Sequence, residues 1–340
     1  MKTFAPLIVS LLLCSTPLWA VADVPESLNE IIPEGVTPLP EQRAATLQWA
    51  GKVKNCEVLY DEEGNVIRLS ATGAEPGLDA EDFQLLRSWP HLRTLHIRHQ
   101  RPTRESLAIL TELPEFEGLC LMNIGEDPVT GKRSLEPNYI EALFPLTSRL
   151  RNLDLVHTFG YRLNQPPFEE WPELPALERL VLEGGGDEHL LLFEKTPNLR
   201  VLGMHRTRMT QEALSQLPEL LPELRILMFK PNGPFDASSL ADLQGLPHLE
   251  TIAFHHYGPD KLGWENGLEL LVEMPQLKRV VFGGSTGQDW SAAEKLEATR
   301  PDIEVIRGNY GPPVSGQDGR PLYSPRDVSA WTQPGEVMAD

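Results

Sequence analysis

The stretch that decides the fold is residues 177–204, LERLVLEGGGDEHLLLFEKTPNLRVLGM. The pattern apolar-x-x-apolar-x-apolar occurs in it twice, as Leu177-Leu180-Leu182 and as Leu199-Leu202-Met204. Between the two copies, the segment 190–193 has apolar residues at helical spacing. The stretch therefore predicts a strand with one buried face, a short helix, and a second strand of the same kind.

The same pattern recurs along most of the chain. Its first apolar residues are Leu92, Phe116, Leu150, Leu177, Leu199, Leu224, Leu249 and Leu277, with degenerate copies starting at Val66 and Ile303. The copies are spaced at roughly 25 residues, a period typical of repeat architectures. Since one strand and one helix cannot bury their apolar faces alone, the units must stack. We predict an α/β solenoid of about ten repeats over residues 66–307.

Proline marks the boundaries of these repeats. The chain has 31 prolines among its 340 residues. Eight of them stand two residues before the first apolar residue of a repeat, namely Pro90, Pro114, Pro175, Pro197, Pro222, Pro247, Pro275 and Pro301. Because proline cannot continue a helix and favours extended geometry in the residue before it, each one ends a helix and starts the next strand.

Ten such units resemble the leucine-rich repeat family, in the longer form typified by ribonuclease inhibitor and by many bacterial exported proteins. The resemblance implies a curved parallel sheet on the concave face and short helices on the convex face. It also implies binding of proteins, peptides, glycans or lipids; since few members of the family are enzymes, we expect no enzymatic activity. The asparagine that usually follows the strand is replaced by residues such as Gly184 and Arg206, and the longest unit predicts an inserted loop at 127–135.

The ends of the chain differ from the repeats. Residues 1–22 have a basic start, an apolar run and the sequence Ala20-Val21-Ala22, which predicts a cleaved signal peptide and an exported protein, periplasmic or secreted. We predict a linker at 23–40, an N-terminal cap at 41–65 with a helix and a strand, and a disordered tail rich in proline and glycine at 308–340.

Composition excludes several classes of function. The chain carries 49 acidic and 30 basic residues, a formal net charge of -19, which disfavours sequence-independent binding to nucleic acid. No segment has the ~18 consecutive apolar residues of a transmembrane helix. No sequence motif of a nucleotide, metal or serine-nucleophile site is present, so we expect no cofactor. We expect a monomer.

The concave face is predicted to be basic. Side chains alternate along a strand, so the third, fifth and seventh positions of each repeat point away from the helices. Among those positions are the basic residues Arg68, Arg98, Arg179, Lys230, Arg279 and Arg307, against the acidic residues Asp154 and Glu183. Six bases minus two acids give about +4, which favours an acidic or anionic partner. The alternative is that solvated strands simply carry some charge.

An apolar band is predicted on the same face. It consists of Val181, Val201, Ile226, Met228, Ala253 and Val281. Exposed apolar surface of this kind usually marks an interaction site. The alternative is that a neighbouring loop or the tail covers it. From the basic and apolar positions together we predict the contacts Arg98, Arg179, Val181, His205, Met228, Lys230, His255 and Arg279.

Two other functions stay open from the sequence. His96, Cys120 and Asp154 occupy fifth positions of neighbouring repeats, so a hydrolase or a metal site is one alternative. Because the cysteine stands between the other two, no carboxylate orients the histidine as in a catalytic triad. A structural component of the envelope is the other alternative. Cys56 lies about three strands from Cys120, so we expect no disulfide between them.

Overall fold

A single parallel sheet is the main feature of the computed structural model, which describes residues 25–26, 28–73, 78–100, 102–122, 124, 139–156, 167–231, 237–254, 259–265, 267–284 and 289–309. Within these residues, twelve strands form one sheet in chain order. They are β1 (Leu28–Ile31), β2 (Asn55–Tyr60), β3 (Val66–Thr72), β4 (Thr94–Arg98), β5 (Gly118–Met122), β6 (Asn152–Val156), β7 (Arg179–Glu183), β8 (Val201–Thr207), β9 (Ile226–Pro231), β10 (Thr251–Phe254), β11 (Arg279–Gly284) and β12 (Glu304–Asn309). Neighbours pair in parallel, except that β2 and β3 form an antiparallel hairpin.

Short helices connect the strands. They are α1 (Pro40–Ala50), α2 (Ala80–Gln84), α3 (Arg104–Ala108), α4 (Leu190–Phe193), α5 (Gln211–Leu214), α6 (Leu217–Leu220), α7 (Pro259–Leu262) and α8 (Ser291–Thr299). Other connections are 3-10 helices, at Leu85–Ser88, Ile109–Glu112, Tyr139–Leu146, Phe168–Glu170, Asp187–His189, Ala237–Gly245 and Leu268–Glu273. Within the described part of the chain, no helix has the length and apolar character needed to cross a membrane.

Local sequence explains where the helices begin. The Thr103 hydroxyl accepts a hydrogen bond from the Ser106 amide at 3.1 Å, and the Thr210 hydroxyl accepts one from the Ala213 amide at 3.2 Å. These bonds satisfy amides that have no partner inside the first helical turn. In eight of the repeats a proline then lies between the connecting helical segments and the next strand.

The main core lies between the sheet and the helices. The fourth and sixth positions of the repeats fill it, so that Leu95, Leu180 and Leu202 are at most 1% exposed. Helix residues such as Leu107 and Phe193 belong to the same cluster. The predicted fold class is confirmed, since each repeat buries its apolar residues against its neighbours as the period of roughly 25 residues requires.

Four repeats have a residue with left-handed backbone at the eighth position, at or near the end of the strand. The φ angles are 101° at Gly73, 56° at His99, 79° at Gly184 and 50° at Arg206. Asparagine and glycine adopt this conformation with the least strain. None of these four residues is asparagine, but the left-handed conformation is kept.

The N-terminal region departs from the prediction. Residues 28–31, expected as part of a linker, form strand β1, which pairs with β2 and extends the sheet. Glu30 holds this strand in place, because its carboxylate accepts a hydrogen bond from the Tyr60 hydroxyl at 2.8 Å and pairs with Arg43 at 3.2 Å. Burial, followed by the bond to Glu30, raises the pKa of Tyr60. The cap therefore starts before residue 41.

The last strand also departs from the prediction. Ile306 lies opposite Val281, so the repeat is shifted by one residue and Arg307 lies opposite Phe282. The prediction that Arg307 is on the concave face is wrong; its guanidinium pairs with Glu297 of α8 at 2.5 Å. The cause is that this repeat has no apolar sixth position, and Val305 packs against the main core instead. Strand β12 continues to Asn309, past the predicted start of the tail.

Three predicted segments lie outside the described residues. They are the signal peptide at 1–22, the inserted loop at 127–135, and the tail from residue 310 onward.

Candidate functional site

One row of side chains crosses the concave face through most of the sheet. In register it runs through Ser70, His96, Cys120, Asp154, Val181, Gly203, Met228, Ala253, Val281 and Ile306. The row is polar as far as Asp154 and becomes apolar from Val181 onward. The concave face thus has two halves of different chemistry.

The first half forms a polar patch on strands β3, β4 and β5. We define it as Arg68, Ser70, Thr72, Thr94, His96, Arg98 and Cys120, all of which are half-buried. None of these residues is a carboxylate, but the exposed Glu57 of β2 lies opposite Ser70 and borders the patch. The Ser70 hydroxyl lies 3.4 Å from Nδ1 of His96. The patch therefore presents cations and hydrogen-bonding groups on a rigid surface.

Arg68 and Arg98 carry the charge of the polar patch. Neither forms an ion pair with a residue that the structure describes. Nε of Arg98 is buried and has no hydrogen-bond partner within the same part of the chain. Arg68 lies opposite Thr94, and Arg98 follows four residues later, so the two backbone positions are about 13 Å apart along the strands.

A buried ion pair separates the two halves. Nε and Nη2 of Arg179 each donate to the Asp154 carboxylate at 2.9 Å, and the two side chains are 8% and 5% exposed. The prediction of Arg179 as an exposed cation for a ligand is therefore wrong. Because the guanidinium forms a bidentate ion pair with the carboxylate on the neighbouring strand, the two charges cancel.

This pair also involves the alternative site at His96, Cys120 and Asp154, because it engages the Asp154 carboxylate. The three residues are neighbours in the row, as predicted. However, the Asp154 carboxylate faces Arg179 on the far side from His96, so it does not orient the imidazole. Among the described residues, no group of three or more His, Cys, Asp and Glu side chains is placed to hold a metal ion. Cys56 and Cys120 are both free thiols.

The second half is an apolar band, and it is buried. We define the band as Met122, Val156, Val181, Val201, Met228, Ala253 and Val281, each at most 2% exposed. The prediction of an exposed band is therefore wrong for all of its residues except Ile226, which is half-buried. Gly203 fits between its neighbours by lacking a side chain, since a Cβ there would lie 2.9 Å from both methyl groups of Val181.

The other predicted contact residues differ in their exposure. His205 is buried at 5% exposure. Arg279 is 45% exposed and pairs with Glu304 at 2.7 Å. His255 lies outside the described residues, as does the side chain of Lys230. In the observed register Arg307 is not on the concave face and Glu304 is. The concave positions of the repeats therefore hold five bases and three acids, a formal charge of +2 in place of the predicted +4.

The sequence contained a signal for the polar patch that the prediction did not weigh. The fifth positions of the first three repeats are Ser70, His96 and Cys120, whereas those from Val181 to Val281 are apolar or glycine. A face that is exposed to solvent has polar residues at these positions. The predicted contacts were instead placed mainly in the apolar half.

A groove of about 490 Å³ lies at the edge where the strands begin. Its charged lining consists of Arg149, Arg151, Arg200, Glu117, Glu178 and Glu223. Arg151 already bonds Glu178 at 2.5 Å, and Arg149 donates to backbone carbonyls. Three arginines and three glutamates cancel formally, so the groove lacks the net positive charge of the polar patch.

Comparison with known proteins shows similarity to solved structures in fold only. No protein-family model and no curated protein matches the chain. The TLR13–ssRNA13 complex is 16% identical with a TM-score of 0.42, covering 74% of this chain and 32% of the other, so this chain spans about a third of the TLR13 chain. LegL7, a leucine-rich repeat-containing protein from Legionella pneumophila, is 14% identical with a TM-score of 0.45, covering 89% and 95%. Rad7, solved with Elc1 from yeast, is 16% identical with a TM-score of 0.36, covering 70% and 75%.

The repeat and the sheet together define the class of protein. The chain is a solenoid in which parallel strands line one face and short helices the other. Its buried apolar-x-x-apolar-x-apolar strands, recurring at roughly 25 residues, are those of a leucine-rich repeat solenoid.

Proposed function

We propose that this protein is an exported binding module that recognises an acidic segment of another protein through the polar patch. The observation that carries the proposal is that Arg68 and Arg98, both on the polar patch, form no ion pair with a described residue, including Glu57 at the border of the patch. Export is inferred from the sequence of residues 1–22.

The charge of the rest of the chain makes this patch selective. The formal net charge is -19, so an acidic partner is repelled by most of the surface. A local cluster of cations in such a body attracts that partner to one place, and unfavourable contacts elsewhere suppress wrong orientations. Binding should accordingly weaken as salt is added.

The spacing of the arginines suits an extended ligand. About 13 Å separates their backbone positions, which corresponds to about four residues of extended peptide. A guanidinium bonds a carboxylate bidentately, so two acidic side chains at that spacing would engage both arginines. Ser70, Thr72 and Thr94 supply hydroxyl groups between them.

The proposal predicts a specific loss of binding. A fluorescent oligo-glutamate peptide is titrated with the full chain and followed by anisotropy at low salt. We expect the double substitution R68A/R98A to weaken binding at least about tenfold, which corresponds to about 1.4 kcal/mol.

A matched control removes the same charge elsewhere. Arg200 and Arg225 are also half-buried, lie at the strand-start edge, and form no ion pair with a described residue. The double substitution R200A/R225A should leave the affinity unchanged. Equal losses from the two double substitutions would show that only overall charge matters, and would contradict a site on the patch. Tighter binding of an RNA oligonucleotide than of the peptide would contradict the ligand class.

A further inference from the structure

One row of charged residues runs along the edge of the solenoid where the strands begin. It holds the second residue of each repeat, and each backbone amide of the row donates to the carbonyl of the preceding member at 2.7 to 2.9 Å. Consecutive backbone positions are therefore about 4.8 Å apart. The row consists of Arg93, Glu117, Arg151, Glu178, Arg200, Arg225, Glu250, Lys278 and Glu304.

The sign of the charge alternates along this row, with one exception. Opposite charges on neighbouring strands attract each other, whereas like charges directly opposite are destabilising. Arg151 accordingly pairs with Glu178 at 2.5 Å, and Lys278 pairs with Glu250 at 2.8 Å. The alternation thus lets the cations of the row pair with carboxylates of the same row.

The exception is the step from Arg200 to Arg225. Both residues are half-buried, and neither forms an ion pair or a side-chain hydrogen bond with another described residue. The adjacent carboxylates, Glu178 and Glu250, bond to the cations on their far sides. Within the described part of the chain, two positive charges therefore stand next to each other without a compensating group, and an anion between them would stabilise this arrangement.

The groove of about 490 Å³ adjoins this arginine pair. Arg200 lines it, and so does Glu223, two residues before Arg225. Pro175 and Ala176 add apolar surface to the lining. A volume of this size is typical of a site for a small molecule. The space beside the arginines can therefore take an anionic group together with a small organic part.

Acidic residues around the pair restrict the ligand to a compact anion. Glu178 and Glu250 precede and follow the two arginines in the row, and the exposed Glu223 stands on the side of the groove. An extended chain of carboxylates, such as the oligo-glutamate peptide, would lie against these residues and be repelled. A ligand that concentrates its charge in one group avoids this repulsion.

We propose that Arg200 and Arg225 bind a phosphate group, either as inorganic phosphate or as a small phosphate monoester whose organic part lies in the groove. Such a group carries a charge of about -1.5 to -2 near neutral pH, which matches the two arginines. Each planar guanidinium can donate two parallel hydrogen bonds to phosphate oxygens. Because this site is at the strand-start edge and the polar patch is on the concave face, the two ligands should bind independently.

Isothermal titration calorimetry on the full chain tests the site. Inorganic phosphate and glycerol phosphate are titrated separately, in a buffer without other multivalent anions. We expect at least one of them to bind, and R200Q/R225Q to weaken that binding at least tenfold. Binding of inorganic phosphate would show that the phosphate group is sufficient, and binding of glycerol phosphate alone would show that the groove contributes.

A matched control removes two cations from the same row. Arg93 and Lys278 are both paired with glutamates, so R93Q/K278Q should leave phosphate binding unchanged. Thermal unfolding gives a second readout, because a ligand that binds the folded state raises the midpoint. The ligand should raise it in the unaltered chain and in R93Q/K278Q, but not in R200Q/R225Q. The proposal is overturned if neither phosphate compound binds, or if the two double substitutions weaken binding equally.

Discussion

Replacing Arg179 by alanine is expected to lower the free energy of unfolding by about 3–5 kcal/mol, because it leaves the Asp154 carboxylate buried without its partner. Both side chains are less than a tenth exposed, and the guanidinium donates to both carboxylate oxygens. Denaturant unfolding followed by circular dichroism measures the change. We expect R179A to move the midpoint without altering the secondary structure of the folded state.

Two further variants distinguish the effect of an unpaired buried charge from the effect of removing any arginine side chain. The double substitution D154L/R179M replaces the pair by apolar groups, and we expect it to be much closer to the unaltered chain than R179A. R87A removes an arginine whose pair with Glu112 is about half exposed on both sides, and it should have little effect. A double variant as unstable as R179A would contradict the assignment of the loss to the unpaired carboxylate.

Acidification should destabilise the protein through His189. This side chain is 2% exposed and lies against Phe168 and Phe193. Burial lowers the pKa of His189 to about 4, although Glu188 acts in the opposite direction. The unfolded chain, with a pKa of about 6.5, binds the proton more readily. The contribution of His189 is therefore complete above pH 6.5 and is lost as the pH falls towards 4, by about 3 kcal/mol.

The measurement is urea unfolding at a series of pH values between 7 and 4. In H189L, the fall in unfolding free energy over this range should be smaller by about 3 kcal/mol. His248 is exposed, so H248L should follow the unaltered chain. A pH dependence that is the same in H189L and in the unaltered chain would show that His189 does not hold a neutral imidazole in the folded state.

The architecture could be predicted from the sequence because one short pattern repeats. The strand residues between Leu92 and Phe282 have the predicted register, and the prolines end the helices where expected. The prediction failed where the pattern is incomplete. The last repeat lacks one apolar residue and shifted Arg307 to the core side, and β1 has no repeat pattern at all.

The candidate site was predictable in part. Alternation along the strands correctly placed His96, Cys120 and Asp154 in one row. It could not show that Arg179 would turn onto Asp154, since this depends on side-chain conformation between strands. Nor could it distinguish an exposed apolar row from a covered one, because both have the same sequence. Burial in three dimensions was needed to move the site from the apolar half to the polar half.

Cys120 allows the most direct test of the polar patch as the ligand site. It is half-buried within the patch, whereas Cys56 is 1% exposed and burial raises the pKa of the Cys56 thiol to about 12. In a C14S variant, which removes the third cysteine of the chain, iodoacetamide should therefore alkylate Cys120 selectively. With saturating oligo-glutamate peptide, we predict that this alkylation slows at least tenfold. An unchanged rate under saturating peptide would contradict binding at this patch.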